Sequence, residues 1–468
     1  MNSSPRIEKR TIDFIPDAER HGSPRSLFFV WFAANTSITA VVTGSLFVVL
    51  GNSALWAIPA AIIGNILGGF VTSLHSAQGP ILGVPQMIQS RAQFGYYGAI
   101  LPLVLSLIIY LGFYATGLVL GGQAIGDLLH IPTQGGAVIF AAMSTVLAII
   151  GYRYIHKFSK VATALSAAVF VVLFIRILAG PGAGALADDA GFAAAPFVLG
   201  ISLAASWQLT FGPYIADYSR YLPRKTSKTA TMGWTFAGSV IGGSLAMTLG
   251  ALGAALGGSS FNGNQVGYLA DLGGKFAWLV LLAVICGKLT GNTLSTYGGF
   301  MSLATIITAI TRKDIVGRSG RTVYILLISA VALGLALAAT NNFVATFTNF
   351  LLFLLYFMTP WSAINLVDFY WVRKERYNVE ALFQPDGEYG RTNFVAIAAY
   401  AAGVLVQIPF MNSPLYVGPI ADWLGGAEIA WLIGLAVSGA GYYFFAPARK
   451  ALRKQRAADT SDLINPSR

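Results

Sequence analysis

The sequence predicts an all-α integral membrane protein with twelve transmembrane helices. Three observations carry this. Of 468 residues, 55% are hydrophobic and only 10% charged, with a mean hydropathy of +0.65; a soluble chain carries about 25% charged residues. Apolar runs of about 20 residues recur, the length a helix needs to cross a bilayer, whereas barrel strands alternate over about 10. Lysine and arginine collect in alternate connections.

The expected spans are 27–50, 54–74, 99–125, 136–155, 159–180, 192–216, 230–256, 276–310, 322–340, 343–368, 393–411 and 427–446. The eighth is too long for one crossing and extends beyond the bilayer. With the N-terminus inside, the inside segments hold 27 of the 30 basic residues and the outside loops only Lys275. That bias sets both termini in the cytoplasm. Arg176 and Lys288 fall within spans; Arg176, near the outer end of span 5, is expected to snorkel. The chain divides into a cytoplasmic tail (1–25), a ten-helix transport core (26–371), a cytoplasmic loop (372–392), two peripheral helices (393–446) and a C-terminal tail (447–468).

The same inventory excludes several functions. The net charge of +11 follows topology, so its expected contacts are the lipid bilayer and anionic headgroups, not nucleic acid. One cysteine, Cys286, permits neither an intrachain disulfide nor a zinc spacing. His21, His75, His130 and His156 fall outside the expected spans, so a buried metal or haem lacks ligands. No phosphate-binding GxxxxGK[ST] loop or Ser-His-Asp grouping is present. Channels need a repeated pore motif or rings of charge, and neither is found. The expectation is a non-enzyme without cofactor. The polar, proline-punctuated first 25 residues read as a tail rather than a signal peptide.

Two spans are interrupted. Span 1 holds Asn35, Thr36, Ser37 and Thr39 at its middle, residues that compete for helical hydrogen bonds. Span 6 holds Gly212-Pro213, and Pro213 cannot donate to the preceding turn. Each break alone reads as an ordinary kink. Together they head two groups of five spans. Five is odd, so the second group inserts inverted, the arrangement of transporters that bind solute at the midplane.

Span 8 reads "VICGKLTGNTLSTYGG" (284–299). Lys288, Asn292, Ser295 and Thr296 share one helical face. Hydroxyls alone suit interhelical bonding, but a mid-span lysine costs roughly 2.5–3.5 kcal/mol. Span 3 places Tyr110, Phe113, Tyr114 and Gly117 at three-to-four spacing, and span 6 adds Trp207 and Gln208. These rings suit core packing or the two faces of a flat ligand. Asn35, Gln208 and Asn292 offer amides with donors and acceptor, matching a nucleobase edge.

Four stretches resemble the nucleobase–cation symporters, in the purine–cytosine permease branch: "GPILGVPQMIQSRAQFGYYGAILP" (79–102), "ADYSRYLP" (216–223), "GNTLSTYGG" (291–299) and "TPWSAINLVDFYW" (359–371). The resemblance covers roughly residues 20 to 375. It implies a LeuT-like 5+5 inverted repeat with two extra C-terminal helices, carrying uncharged nucleobases with sodium or protons. By position it puts the helix 3 aromatic at Phe113 or Tyr110, the helix 6 aromatic at Trp207 with Gln208 beside it, and the helix 8 amide at Asn292. Allantoin, hydantoin or a thiamine-precursor pyrimidine stays open as substrate. One departure stands out. Lys288 occupies or adjoins the place of a sodium-ligand hydroxyl. Its ammonium is expected to replace sodium against carbonyls of Ala33 to Thr36, making H+ the coupling ion, with Asp217 as a relay or a structural helix-end partner. The expected location is the inner or plasma membrane.

Overall fold

A computed structural model describes residues 13–150, 152–180, 184, 191–312 and 318–447. Among these residues, seven helices are long and apolar enough to cross a bilayer, or eight when the bent pair Arg25–Asn35 and Ile38–Val49 counts as one span. Three shorter apolar helices cover Thr133–Ile149, Phe394–Phe410 and Ala430–Phe445. Most of the terminal tails, and the side chains of residues 150–160 with that of His156 among them, lie outside the described residues; the backbone at His156 belongs to helix Tyr152–Ala179 and not to a connection between spans.

The core forms where small residues let helices touch. The halves of the bent span both lie along Lys228–Gly263. There Gly44 and Gly250 meet the facing backbone, and a Cβ at Gly250 would overlap the Val41 carbonyl. Helix Ile100–Leu129 packs along Ala277–Thr311, and Ala54–Ser76 along Ala194–Leu209. Ile38–Val49 also meets Ala194–Leu209 and Ile100–Leu129, so spans 1, 3, 6 and 8 adjoin one another.

Several boundaries differ from expectation. The helix expected over 136–155 ends at Ile150, and the next begins at Tyr152. The helix expected over 393–411 is regular only over Phe394–Leu405. A small antiparallel hairpin follows, pairing Asn412 with Val417 and Ser413 with Tyr416. His75 is not outside the spans. It sits within Ala54–Ser76 and is fully buried, because the apolar run stops at 74 while the helix continues. Arg176 remains exposed and donates to the Leu272 carbonyl at 2.8 Å.

One end of the bundle is basic and closed by chain. The short helices Gln78–Leu82 and Gln86–Phe94 are almost wholly buried there. Arg20 holds the preceding tail on them, donating to Ile15 O at 2.9 Å and Pro80 O at 2.5 Å. Arg373 pairs with the buried Asp368 at 3.3 Å.

Candidate binding site at the helix breaks

The first span bends by 58° between Asn35 and Ile38. Ser37 takes an extended conformation and caps the second half by accepting from Ala40 N, which satisfies one orphan donor. Asn35 turns its Nδ2 back onto Trp31 O at 2.8 Å. Thr36 Oγ1, at the bend itself, is buried without a partner. The second break is a 3₁₀ turn over Gly212–Tyr214. Thr210 Oγ1 donates to Trp207 O at 2.7 Å just before it.

The two breaks are tied by side chains. Asn35 Oδ1 accepts from Trp207 Nε1 at 2.8 Å and from Gln208 Nε2 at 3.0 Å. Gln208 Nε2 also reaches Asn65 Oδ1 at 2.6 Å and Ser239 O at 3.1 Å. The amides of Asn35 and Gln208, expected to meet a ligand edge, are therefore braces between spans. Only Gln208 Oε1 stays unpartnered.

Asn292 is different. It is 1% exposed, and neither its Oδ1 nor its Nδ2 has a hydrogen-bond partner. A buried polar group left unmade costs about 1–3 kcal/mol. Its amide rests on Gly117, where a Cβ would overlap it, so the glycine beside the aromatic run makes room for it. One turn earlier, Lys288 Nζ donates to Thr39 Oγ1 at 2.7 Å. That partner lies three residues past Thr36. The Lys288 acceptor is this hydroxyl rather than the expected carbonyls of Ala33 to Thr36, because the helix restarts at Ile38 and carries Thr39 toward span 8. Among the described residues no carboxylate forms a salt bridge with Lys288.

The rings divide. Phe113 meets Trp207 edge to face, 5.6 Å between centroids at 90°. Tyr110 stacks on Tyr214 at 5.5 Å and 30°, so it joins the second break. A planar molecule held between two rings needs about 7 Å, two contact distances of ~3.5 Å; in this conformation Phe113 and Trp207 instead touch each other. Tyr114 leaves the site. It is fully buried on another face of its helix, with its hydroxyl 3.1 Å from Ser329 Oγ and 3.4 Å from Thr145 Oγ1. Three-to-four spacing brackets a face, and Tyr114 lies 100° round from Phe113. Asp217 also does structural service: its Oδ1 accepts from Gln86 N at 2.7 Å, capping helix Gln86–Phe94. Ser295 is half-buried, and Thr296 Oγ1 donates to Asn292 O at 2.8 Å.

Two contributors escaped sequence reasoning. Asn65 links spans 2, 6 and 7, donating to Ala61 O and Met247 Sδ; a lone asparagine in "AAIIGNILGG" was the available signal. His75 stacks on Trp361 at 5.1 Å and 8° beneath the second break. Its position one residue beyond the apolar run hid it.

A helical bundle interrupted at its centre, with an unpartnered amide and a lysine at the interruption, is a multi-pass membrane transport protein. The chain belongs to the family of permeases for cytosine/purines, uracil, thiamine and allantoin, whose model matches residues 14–434. It is 40% identical over 438 residues to YxlA of Bacillus subtilis (strain 168), provisionally named a purine-cytosine permease, covering 94% of this chain and 95% of that one. It is 25% identical over 477 residues to the purine-cytosine permease fcyB of Emericella nidulans, covering 94% and 88%. Among solved structures, the inward-facing conformation of Mhp1 superposes with a TM-score of 0.74 at 18% identity, over 97% of this chain and 96% of that one. Mhp1, a nucleobase-cation-symport-1 family transporter, in a closed conformation with bromovinylhydantoin bound, gives 0.73 at 18% identity, over 96% of each. These two likenesses establish the fold.

Proposed function

We propose that the protein is a secondary active symporter importing a neutral planar nucleobase, cytosine or a purine such as adenine or hypoxanthine, coupled to protons. The observation that carries the reading is Asn292, whose buried carboxamide has both atoms free. One donor and one acceptor side by side match the edge of a nucleobase. Phe113 and Trp207 separate to admit the ring, with Tyr110 beside them, while Asn35 holds the Trp207 indole in orientation. Gln208 Oε1 and Thr36 Oγ1 supply further polar contacts.

Lys288 stands where a sodium ion would bind, and its charge replaces the ion's against Thr39. A lysine charged in one conformation and neutral in another couples solute movement to protons. The twelve spans form a LeuT-like 5+5 inverted repeat over 26–371, with two peripheral helices over 393–446. Both termini lie in the cytoplasm, and the protein resides in the inner or plasma membrane.

The test is a thermal-shift panel of nucleobases, allantoin and hydantoins on purified protein with and without sodium, followed by uptake into proteoliposomes. Stabilisation by a nucleobase, indifferent to sodium, and accumulation driven by an inward proton gradient are expected. Accumulation that follows sodium and ignores protons overturns the coupling. Stabilisation only by allantoin or a hydantoin moves the substrate to those heterocycles.

A further inference from the structure

A chain of four buried carboxamides runs from the second helix break to the basic end. Gln86 Nε2 donates to Gln78 Oε1 at 2.8 Å, and Gln78 Nε2 to Asn365 Oδ1 at 2.7 Å. Asn365 Nδ2 donates to Gln93 Oε1 at 3.4 Å, and Gln93 Nε2 to Asp368 Oδ2 at 3.0 Å. Every link points the same way, and the far end explains why. Asp368 also accepts from Tyr377 at 2.5 Å and Tyr442 at 2.8 Å and faces Arg373. An ionised carboxylate has only acceptors, so Gln93 must present its nitrogen, and each amide orients the next.

At the near end the second N–H of Gln86 meets His75 Nδ1 at 3.4 Å. The other ring nitrogen therefore carries the proton, toward Ser362 Oγ at 3.3 Å. Gln86 Oε1 is buried without a partner. The ring stacks on Trp361, and a Cβ at Gly212 would lie 3.2 Å from Trp361 and 3.8 Å from His75. Only the room of one methyl group thus separates the histidine from the break. The charged and titratable groups around His75 are reached through its neighbours: Asp217 on Gln86 N, Tyr370 on Leu74 O, and Asp368 with Arg373.

We propose that His75 is a proton-binding site of the transport cycle, kept empty in this conformation by the amide chain that Asp368 orients. A proton added at Nδ1 turns that atom into a donor. Gln86 must then turn over and offer its unpartnered Oε1. The chain reverses behind it until Gln93 Oε1 opposes the Asp368 carboxylate. Loading His75 therefore breaks or reverses the bonds joining segment 78–94 to the helix Phe343–Val367, and it loosens the basic end. The proton leaves from the same atom.

The proposal rests on the proton-coupled reading above. Full-length protein in proteoliposomes tests it. His75→Gln should retain solute exchange but lose accumulation driven by a proton gradient; accumulation equal to wild type overturns the proposal. The Asp368→Asn variant gives a test of sign. Simple electrostatics predicts that losing a carboxylate lowers the pH midpoint of driven uptake. Freeing the chain to reverse predicts a rise of about half a unit or more. A fall or no change refutes the amide chain. Gln78→Leu cuts the chain without touching a charge and should also raise the midpoint, which decides the matter where another variant does not fold. Wild-type protein indifferent to the proton gradient removes both readings; a proton-driven wild type matched by His75→Gln removes only this one.

Discussion

Asn292 and Lys288 lie one turn apart, and their hydrogen bonding differs. Asn292 offers a free amide, whereas Lys288 is bonded to Thr39. Asn292→Ala should weaken nucleobase binding by about 2–3 kcal/mol, roughly 30- to 150-fold, without loss of membrane insertion; titration calorimetry measures it. Lys288→Ala should abolish gradient-driven uptake, read in proteoliposomes. Gly117→Ala tests the amide's seat, because the new methyl would overlap it. About tenfold weaker binding with little change in thermal stability is expected. The amide stripe on span 8 was legible because a helix with one polar face inside an apolar run has few other uses. The braces were not. Asn35 and Gln208 carry the same chemistry as Asn292, and only the partners each finds in space distinguish a support from a free edge.

At the scale of elements, the breaks follow from local chemistry. Serine as a cap and proline without an N–H interrupt a helix wherever they stand. How far the halves bend is set by what they pack on. The first span leans on Lys228–Gly263 through Gly44 and Gly250. Gly250→Ala would push against the Val41 carbonyl, and backbone cannot yield as a side chain does. A loss of about 1–3 kcal/mol is expected, seen as a lowered unfolding temperature in detergent. Tyr114 shows the reverse limit. Spacing placed it with Tyr110 and Phe113, yet its hydroxyl has partners on neighbouring helices.

Across the whole molecule, the two ends are fastened by different chemistry. The basic end uses Arg20, Asp217, Asp368 and the amide chain. The opposite end holds Glu428, a buried carboxylate that accepts from Tyr356 at 2.7 Å, Ala430 N at 3.0 Å and Asn412 N. Glu428→Gln replaces one acceptor oxygen with an N–H2 group that faces the hydroxyl or backbone N–H donors now bonded there. A buried donor facing a donor loses its bond, so a lower unfolding temperature in detergent is expected.

By itself the sequence determined that the chain is a helical membrane protein, where two spans break, and which span carries the buried lysine and amide. Those properties depend on hydropathy, proline and capping chemistry within a few residues. Only the tertiary structure decided that Asn35 and Gln208 brace Trp207, that Lys288 meets Thr39, and that His75 lies buried beside the second break. Each of those depends on contacts between residues more than a hundred positions apart, or on where a helix ends once its neighbours enclose it. No local pattern encodes such distances.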